Sequence, residues 1–246
     1  MYKTLTRQDF QKALNLKEDE TFDGVLTYGG WHIKENTEVA EKVFEKFGVL
    51  DERMSIGIYR GKKVLFAVTY GGPVTSEFVH IGALLGAKIA IHTGSFGGLQ
   101  KGMGYNDILL PETCYPGDGT SKWYVKEGET VCASSEVIGW LEKKLEKEGI
   151  NPHRGSFFTT SSMLAETWED IERWNKEGFL GVDLETATVF AVAKHFNIKS
   201  AAILHLADNL IEKQTIFMFT EEQRKNRKEI KKFVMKMGLE TIANFA

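Results

Sequence analysis

Three segments of this 246-residue chain carry residue types that could do chemistry on a ligand. The first, His92-Thr93-Gly94-Ser95-Phe96-Gly97-Gly98-Leu99, follows a short apolar run. Its glycines would let the backbone turn sharply and bring N–H groups against an anion or a sugar hydroxyl at the carboxyl end of a sheet. A tight structural turn would use the same residues, and the Gly-Lys-Ser/Thr ending of a P-loop is missing. The second, Val182-Asp183-Leu184-Glu185-Thr186-Ala187, opens a predicted helix with an apolar body. Carboxylates favour helix starts for dipole reasons alone. Glu185, however, shares a helical side with Thr188 and points at a predicted core, where an unpaired carboxylate is costly. A ligand offering two hydroxyls would satisfy it. The third is Asp208, which ends the apolar run from Ala201 to Ala207 and precedes Asn209. A carboxyl at the mouth of a buried strand holds its proton to higher pH and can act as a general acid. An Asx-turn or cap is the commoner use of Asp-Asn after a strand. His205, inside that strand, reads as a hydrogen-bonded core histidine.

The elements that must position these residues follow from the apolar pattern. Val64 to Tyr70 and Ala87 to Ile91 read as strands around a helix from Val74 to Leu85. Val182 to Phe196 reads as a helix and Ser200 to Ala207 as a strand buried on both faces. Further helices are predicted over Glu35 to Phe47, Glu136 to Glu148 and Thr220 to Met237, the last with a solvated charged face. Strands alternating with helices, without a Pro- or Ser-rich linker, predict one α/β domain over residues 1–246 with a central mixed, mostly parallel sheet flanked by helices. Pro111 to Gly128 reads as a long irregular loop, a kind that is often functional.

Composition narrows the partners. Thirty-one Lys and Arg against 34 Asp and Glu leave a formal charge of -3, no footprint for nucleic acid or an anionic membrane surface. No run of roughly 18 apolar residues is present, and the polar start, Met1 to Phe10, does not read as a signal peptide. Cys114 and Cys132 are far apart and have no His pair nearby, so two reduced thiols in cytoplasm are expected, with neither a metal site nor a disulfide.

Taken in order, the three segments resemble the nucleoside phosphorylase and nucleosidase superfamily. The resemblance runs from about Gly24 to the C-terminus. It also includes Tyr59-Arg60-Gly61-Lys62-Lys63, Gly71-Gly72-Pro73, Thr160-Ser161-Ser162 and Ala207-Asp208-Asn209-Leu210. It implies a phosphorylase/hydrolase-like fold and cleavage of the N-glycosidic bond of a nucleoside. In such proteins the second acidic residue of a Glu-Met-Glu segment binds the ribose hydroxyls, a role falling on Glu185, with Leu184 replacing the Met beneath the sugar. The Asp of a Ser-Asp pair protonates purine N7, a role falling on Asp208, with Ala207 replacing the Ser. That Asp favours a purine over a pyrimidine. Phe96, Gly97, Asp183 and Trp168 are the residues the resemblance leaves for the base pocket, where Met163, Leu164, Ala165 and Glu166 replace the usual acidic and aromatic residues. The resemblance further implies a homo-oligomer, dimer or hexamer, which would also cover aromatics near Trp123 and Trp168.

The chain departs from the family at the nucleophile. The phosphate-binding Arg of a Gly-Asp-Pro-x-Arg loop is missing from Gly29-Gly30-Trp31-His32-Ile33, and a second Arg is His92. A third aligns with Leu50, and Arg53 could replace it if the loop shifts by three residues. A His cannot reproduce the bidentate, permanently charged clamp of an Arg. Phosphorolysis, with phosphate as co-substrate gathered by Gly29, Gly30, His92, Ser95, Arg53 and Lys34, is the first expectation. Hydrolysis, with Glu35 or Glu38 activating water, is the alternative, and a catalytically silent nucleoside-binding protein is a third. No other cofactor is expected.

Overall fold

Ten strands and seven α-helices make up the computed structural model, which describes residues 2–105 and 107–246. The strands are β1 (Gly24–Gly29), β2 (Lys46–Val49), β3 (Met54–Tyr59), β4 (Lys62–Thr69), β5 (Ile89–Gly98), β6 (Ile108–Pro116), β7 (Val131–Cys132), β8 (His153–Thr159), β9 (Gly181–Asp183) and β10 (Lys199–Asn209). The helices are α1 (Arg7–Ala13), α2 (Ile33–Glu41), α3 (Gly72–Leu84), α4 (Ser135–Lys147), α5 (Trp168–Lys176), α6 (Thr186–His195) and α7 (Glu221–Phe245).

The expected α/β domain is present, and its sheet is mixed. The central neighbours β4, β1, β5 and β10 are all parallel, while β3 and β2 extend one side antiparallel. On the other side β10 pairs antiparallel with β6, β6 runs parallel to β8, and β8 parallel to β9. Strand β9 then returns to β5. Five strands, β5, β10, β6, β8 and β9, therefore close into a ring, and β5 is shared between ring and open sheet.

Side chains alternate between the two faces of each central strand. On β1, Val25 joins one core with Leu65, Ala90 and Phe190, while Leu26 joins the other with Phe66, Ile91 and Val234. Helices α3 and α6 cover the first face; α7 and α4 lie over the second. Each such Leu, Ile or Phe contributes about 1.5–3 kcal/mol by leaving water, so the central strands form a rigid platform for whatever their ends carry.

Four expectations change. The helix predicted to reach Phe47 stops at Glu41, and Lys46–Val49 is strand. Phe44 and Phe47 turn in to pack on Phe66, with ring centroids 6.1 Å away in each case, and this tertiary contact overrides the helical pattern. The loop predicted from Pro111 begins only after Pro116, because β6 pairs with β8 up to that residue. The glycine-rich segment after His92 is strand through Gly98 rather than a turn. Its glycines serve close approach: a Cβ on Gly94 would lie 3.3 Å from the Gly29 backbone, and one on Gly97 would lie 2.7 Å from Leu210. Finally, the helix predicted from Val182 starts at Thr186, because Gly181 and Val182 pair with Gly98 and Gly97 of β5.

Candidate active site

Strand β5 is flanked at its carboxyl end by β1 and then β9 along one edge, and by β10 along the other. A cavity of about 120 Å³ opens there. Its lining includes Gly29, Gly30, Ser95, Phe96, Gly97, Asp183, Leu184, Glu185 and Asp208, so nine of the residues singled out in the sequence come together. Tyr70, Met163, Glu166, Val182, Ala207 and Leu210 complete it.

On the β1/β9 edge the carboxyls are held by the start of α6. Asp183 accepts hydrogen bonds from Thr159 Oγ1 at 2.8 Å, from Thr186 Oγ1 at 2.5 Å and from the Thr186 N–H. These bonds fix the turn that leads into the helix. Glu185 then takes the N-cap position at φ −134°, outside the helix, and its direction is set by that turn rather than by helical phase. Its Oε1 accepts from the Gly71 N–H at 2.6 Å. Gly71 stands at φ +82°, in the left-handed region where glycine is at ease. Any side chain at Gly29 would reach within 2.9 Å of Glu185 Oε2, which explains why glycine stands there.

His92, on β5, lies beneath this edge rather than in the cavity lining. Its Nδ1 is 2.8 Å from Thr27 Oγ1, and its Nε2 lies 3.7 Å from Asp183 and 4.0 Å from Glu185. Burial pushes the imidazole down to about 3, so it is neutral. Burial pushes both carboxyls up, and Asp183 pushes Glu185 further by like-charge repulsion. One donor atom from each of His92, Asp183 and Glu185 lies within 4.8 Å of the other two, the spacing at which a divalent cation could be held. The Asp183 oxygens are already engaged by Thr159 and Thr186, whereas Glu185 borders the cavity.

The β10 edge is built differently. Register slips between Leu206, opposite Phe96, and Asp208, opposite Gly97. This bulge at Ala207 re-aims the strand end, a device that recurs beside active sites. Asn209 anchors it by donating from Nδ2 to the carbonyls of Gln100 and Met103. Glu166 faces Asp208 from the segment after a short 3-10 turn, Met163–Ala165. Its carboxyl is pushed up to about 7, first by burial, then by the charges of Asp208 and Asp170. The sequence marked Glu166 only as a replacement in the base pocket; its place beside Asp208 comes from the segment between β8 and α5.

Other candidates lie elsewhere. Arg53 directly precedes β3, where its N–H donates to Asp51 and its carbonyl accepts from Val68, and is not part of the lining. Trp168 begins α5, half-exposed, beneath Lys213, and does not line the cavity either. Lys34, Glu35 and Glu38 line a separate open depression with Trp31 and His32. Glu35 pairs there with Lys231 at 2.8 Å, which holds its carboxyl below the usual range and makes it a poor base. His205 is buried as expected, but neither ring nitrogen has a hydrogen-bond partner among the described residues, and burial pushes it down to about 3. Cys114 and Cys132 are both free. No helix among the described residues is long and apolar enough to cross a membrane.

A ring-and-sheet α/β fold with paired carboxyls at the ends of its parallel strands defines the class. A sequence profile of the phosphorylase superfamily matches residues 30–237, and the chain belongs to that superfamily. It is 28% identical over 173 residues to a DeoD-type purine nucleoside phosphorylase of Clostridium perfringens, covering 65% of this chain and 73% of that one. It is 23% identical over 212 residues to the Buchnera aphidicola protein of the same description, covering 83% and 89%. Among solved structures, uridine phosphorylase from Vibrio fischeri superposes with a TM-score of 0.81 at 21% identity, covering 98% and 99% of the two chains. That likeness shows a shared fold.

Proposed function

We propose that this protein cleaves a purine nucleoside by phosphorolysis, releasing the free base and ribose 1-phosphate. One observation carries the reading: a buried carboxyl, Glu185, and a second carboxyl, Asp208, border a single cavity from the two edges of β5. Glu185 accepts hydrogen bonds from the ribose 2′ and 3′ hydroxyls, which relieves the cost of burying it beside Asp183. Leu184 packs beneath the sugar. As the C1′–N9 bond breaks, its electron pair moves into the base, Asp208 delivers a proton to N7, and a phosphate oxygen bonds to C1′. Proton delivery turns the base into a neutral leaving group while the sugar carries oxocarbenium character. Phosphate lies against Gly29, Gly30 and Ser95. His92, neutral and tied to Thr27 beneath this edge, adds no charge to the phosphate site.

A second reading rests on a specific observation: the cavity lining contains no Lys or Arg among the described residues. Water would then replace phosphate, and the sugar product would be free ribose. The experiment incubates the protein with adenosine, inosine, guanosine, uridine and methylthioadenosine, with and without phosphate, and identifies the sugar. Ribose 1-phosphate formed only with phosphate is the expected result. Free ribose in both arms establishes hydrolysis instead, and no turnover of any substrate leaves a nucleoside-binding protein. Exposed Trp123 and half-exposed Trp168 fit a contact between copies, so the active species is expected to sediment as a dimer or larger; an active monomer rules this out.

A further inference from the structure

Glu166 is the cavity carboxyl that the reading above leaves without a task. It lines the cavity beside Asp208, and it forms neither an ion pair nor a side-chain hydrogen bond among the described residues. Lys213, five positions past Asp208, is turned over the Trp168 ring at 5.9 Å. A carboxyl kept half-buried next to two other acids, with no partner of its own, is unfavourable for the empty protein. Such a group is explained if the ligand supplies the partner.

The chemistry of the base says what that partner is. The purine edge that carries N7 also carries the 6-substituent, an amino donor in adenine and a carbonyl acceptor in guanine and hypoxanthine. With Asp208 at N7, a second carboxyl on the same side of the pocket meets the 6-position. We propose that Glu166 determines base specificity, accepting a hydrogen bond from the 6-amino group next to the nitrogen protonated by Asp208, so that 6-aminopurine nucleosides are taken over 6-oxopurines. The inference rests on Asp208 being the N7 acid. A carboxylate facing a 6-oxo group would set two acceptors against each other, a mismatch of the kind that discriminates strongly.

The groups facing Glu166 are Asp208 from β10, Asp170 from α5 and Tyr70 from the turn between β4 and α3. With its carboxyl pushed up to about 7, Glu166 holds a proton at pH 6 and can then donate to a 6-oxo group. At pH 8 it accepts only. Selection for the amino base therefore tightens as pH rises through neutrality.

The test is equilibrium binding of adenine and hypoxanthine, by titration calorimetry, to the wild-type protein and to Glu166→Gln at pH 6 and pH 8. Wild type should prefer adenine by about tenfold or more at pH 8, and by clearly less at pH 6. Glu166→Gln, whose amide can serve either base, should bring the ratio near unity at both pH values. A pH-independent ratio in wild type, a hypoxanthine preference at pH 8, an unchanged ratio in the variant, or no binding of either base overturns the proposal. The wild-type pH arm stands even if the variant folds poorly. Adenine selection without nucleoside turnover would sink the catalytic reading alone, and turnover without selection would sink only the role of Glu166.

Discussion

The two edges of β5 solve different problems with the same functional group. On the β1/β9 edge, Asp183 and Glu185 are buried, held by Thr159, Thr186 and the Gly71 N–H, and backed by a neutral His92 tied to Thr27. On the β10 edge, Asp208 follows a bulge, and Glu166 reaches in from an irregular segment with no ion pair among the described residues. The first edge is fixed before any ligand arrives. The second ends in that bulge and an irregular segment, anchored through Asn209. Within the proposed function the difference has a physical sense: ribose presents the same pair of hydroxyls in every nucleoside, so its anchor can be rigid, whereas the base is what distinguishes one substrate from another.

The comparison breaks most easily at Glu185. Glu185→Ala removes two charge-assisted hydrogen bonds to the sugar, each worth about 1.5–3 kcal/mol, so kcat/KM should fall by roughly 10³-fold on every nucleoside tested, whatever its base. Circular dichroism should stay native, because the residue caps α6 without a side-chain cap bond. A loss confined to one base would mean that the rigid edge reads the base after all.

A smaller effect sharpens the same contrast through stability. Asp183 and Glu185 have carboxyls raised by burial in the folded chain, and Glu166 is raised to about 7. Between the ordinary carboxylate range and neutrality, the folded protein therefore holds protons that the unfolded chain has released. Stability is fully present at the acid end of that window and falls as pH rises through it. Melting temperature in the absence of ligand should drop from pH 5 to pH 8. Glu185→Gln should flatten the drop and raise the melting temperature at pH 8, by roughly 2–4 °C for each kcal/mol recovered. A steeper drop in the variant would show that the buried carboxyl is stabilising, contrary to the electrostatics described here.

Much of this arrangement was legible in the sequence because the apolar runs around Val64, Ile91 and Ile203 can only be central strands. The carboxyls that interrupt or end such runs are conspicuous for the same reason. Glu185 and Asp208 stood out because an acid costs more there than anywhere on the surface. What could not be read was direction. Glycines at 94, 97 and 98 suggest a turn by propensity, yet they lie in an extended strand pressed against Gly29, Leu210 and Leu206. Glu185 was placed by helical phase, but the Asp183 cap delays the helix and sends the side chain to Gly71 instead. Glu166 was read only as a replacement in the base pocket, since its setting depends on Asp208 and Tyr70, distant in sequence, as well as on nearby Asp170. Arg53 and Trp168 were chosen for their chemistry, and the fold sets them outside the cavity lining.

The division of labour between the two edges is tested most directly by the Asp208→Asn protein, assayed on its best purine nucleoside and on a nitrophenyl riboside whose leaving group needs no proton. Asparagine keeps the size and can still donate a hydrogen bond, but it cannot transfer a proton. Loss of a general acid costs about 10²–10⁴-fold. The account predicts a fall in kcat of that order on the purine, with little change on the nitrophenyl riboside and little change in nucleoside affinity. Equal losses on both substrates would contradict it, showing that Asp208 holds the pocket together instead of protonating the base.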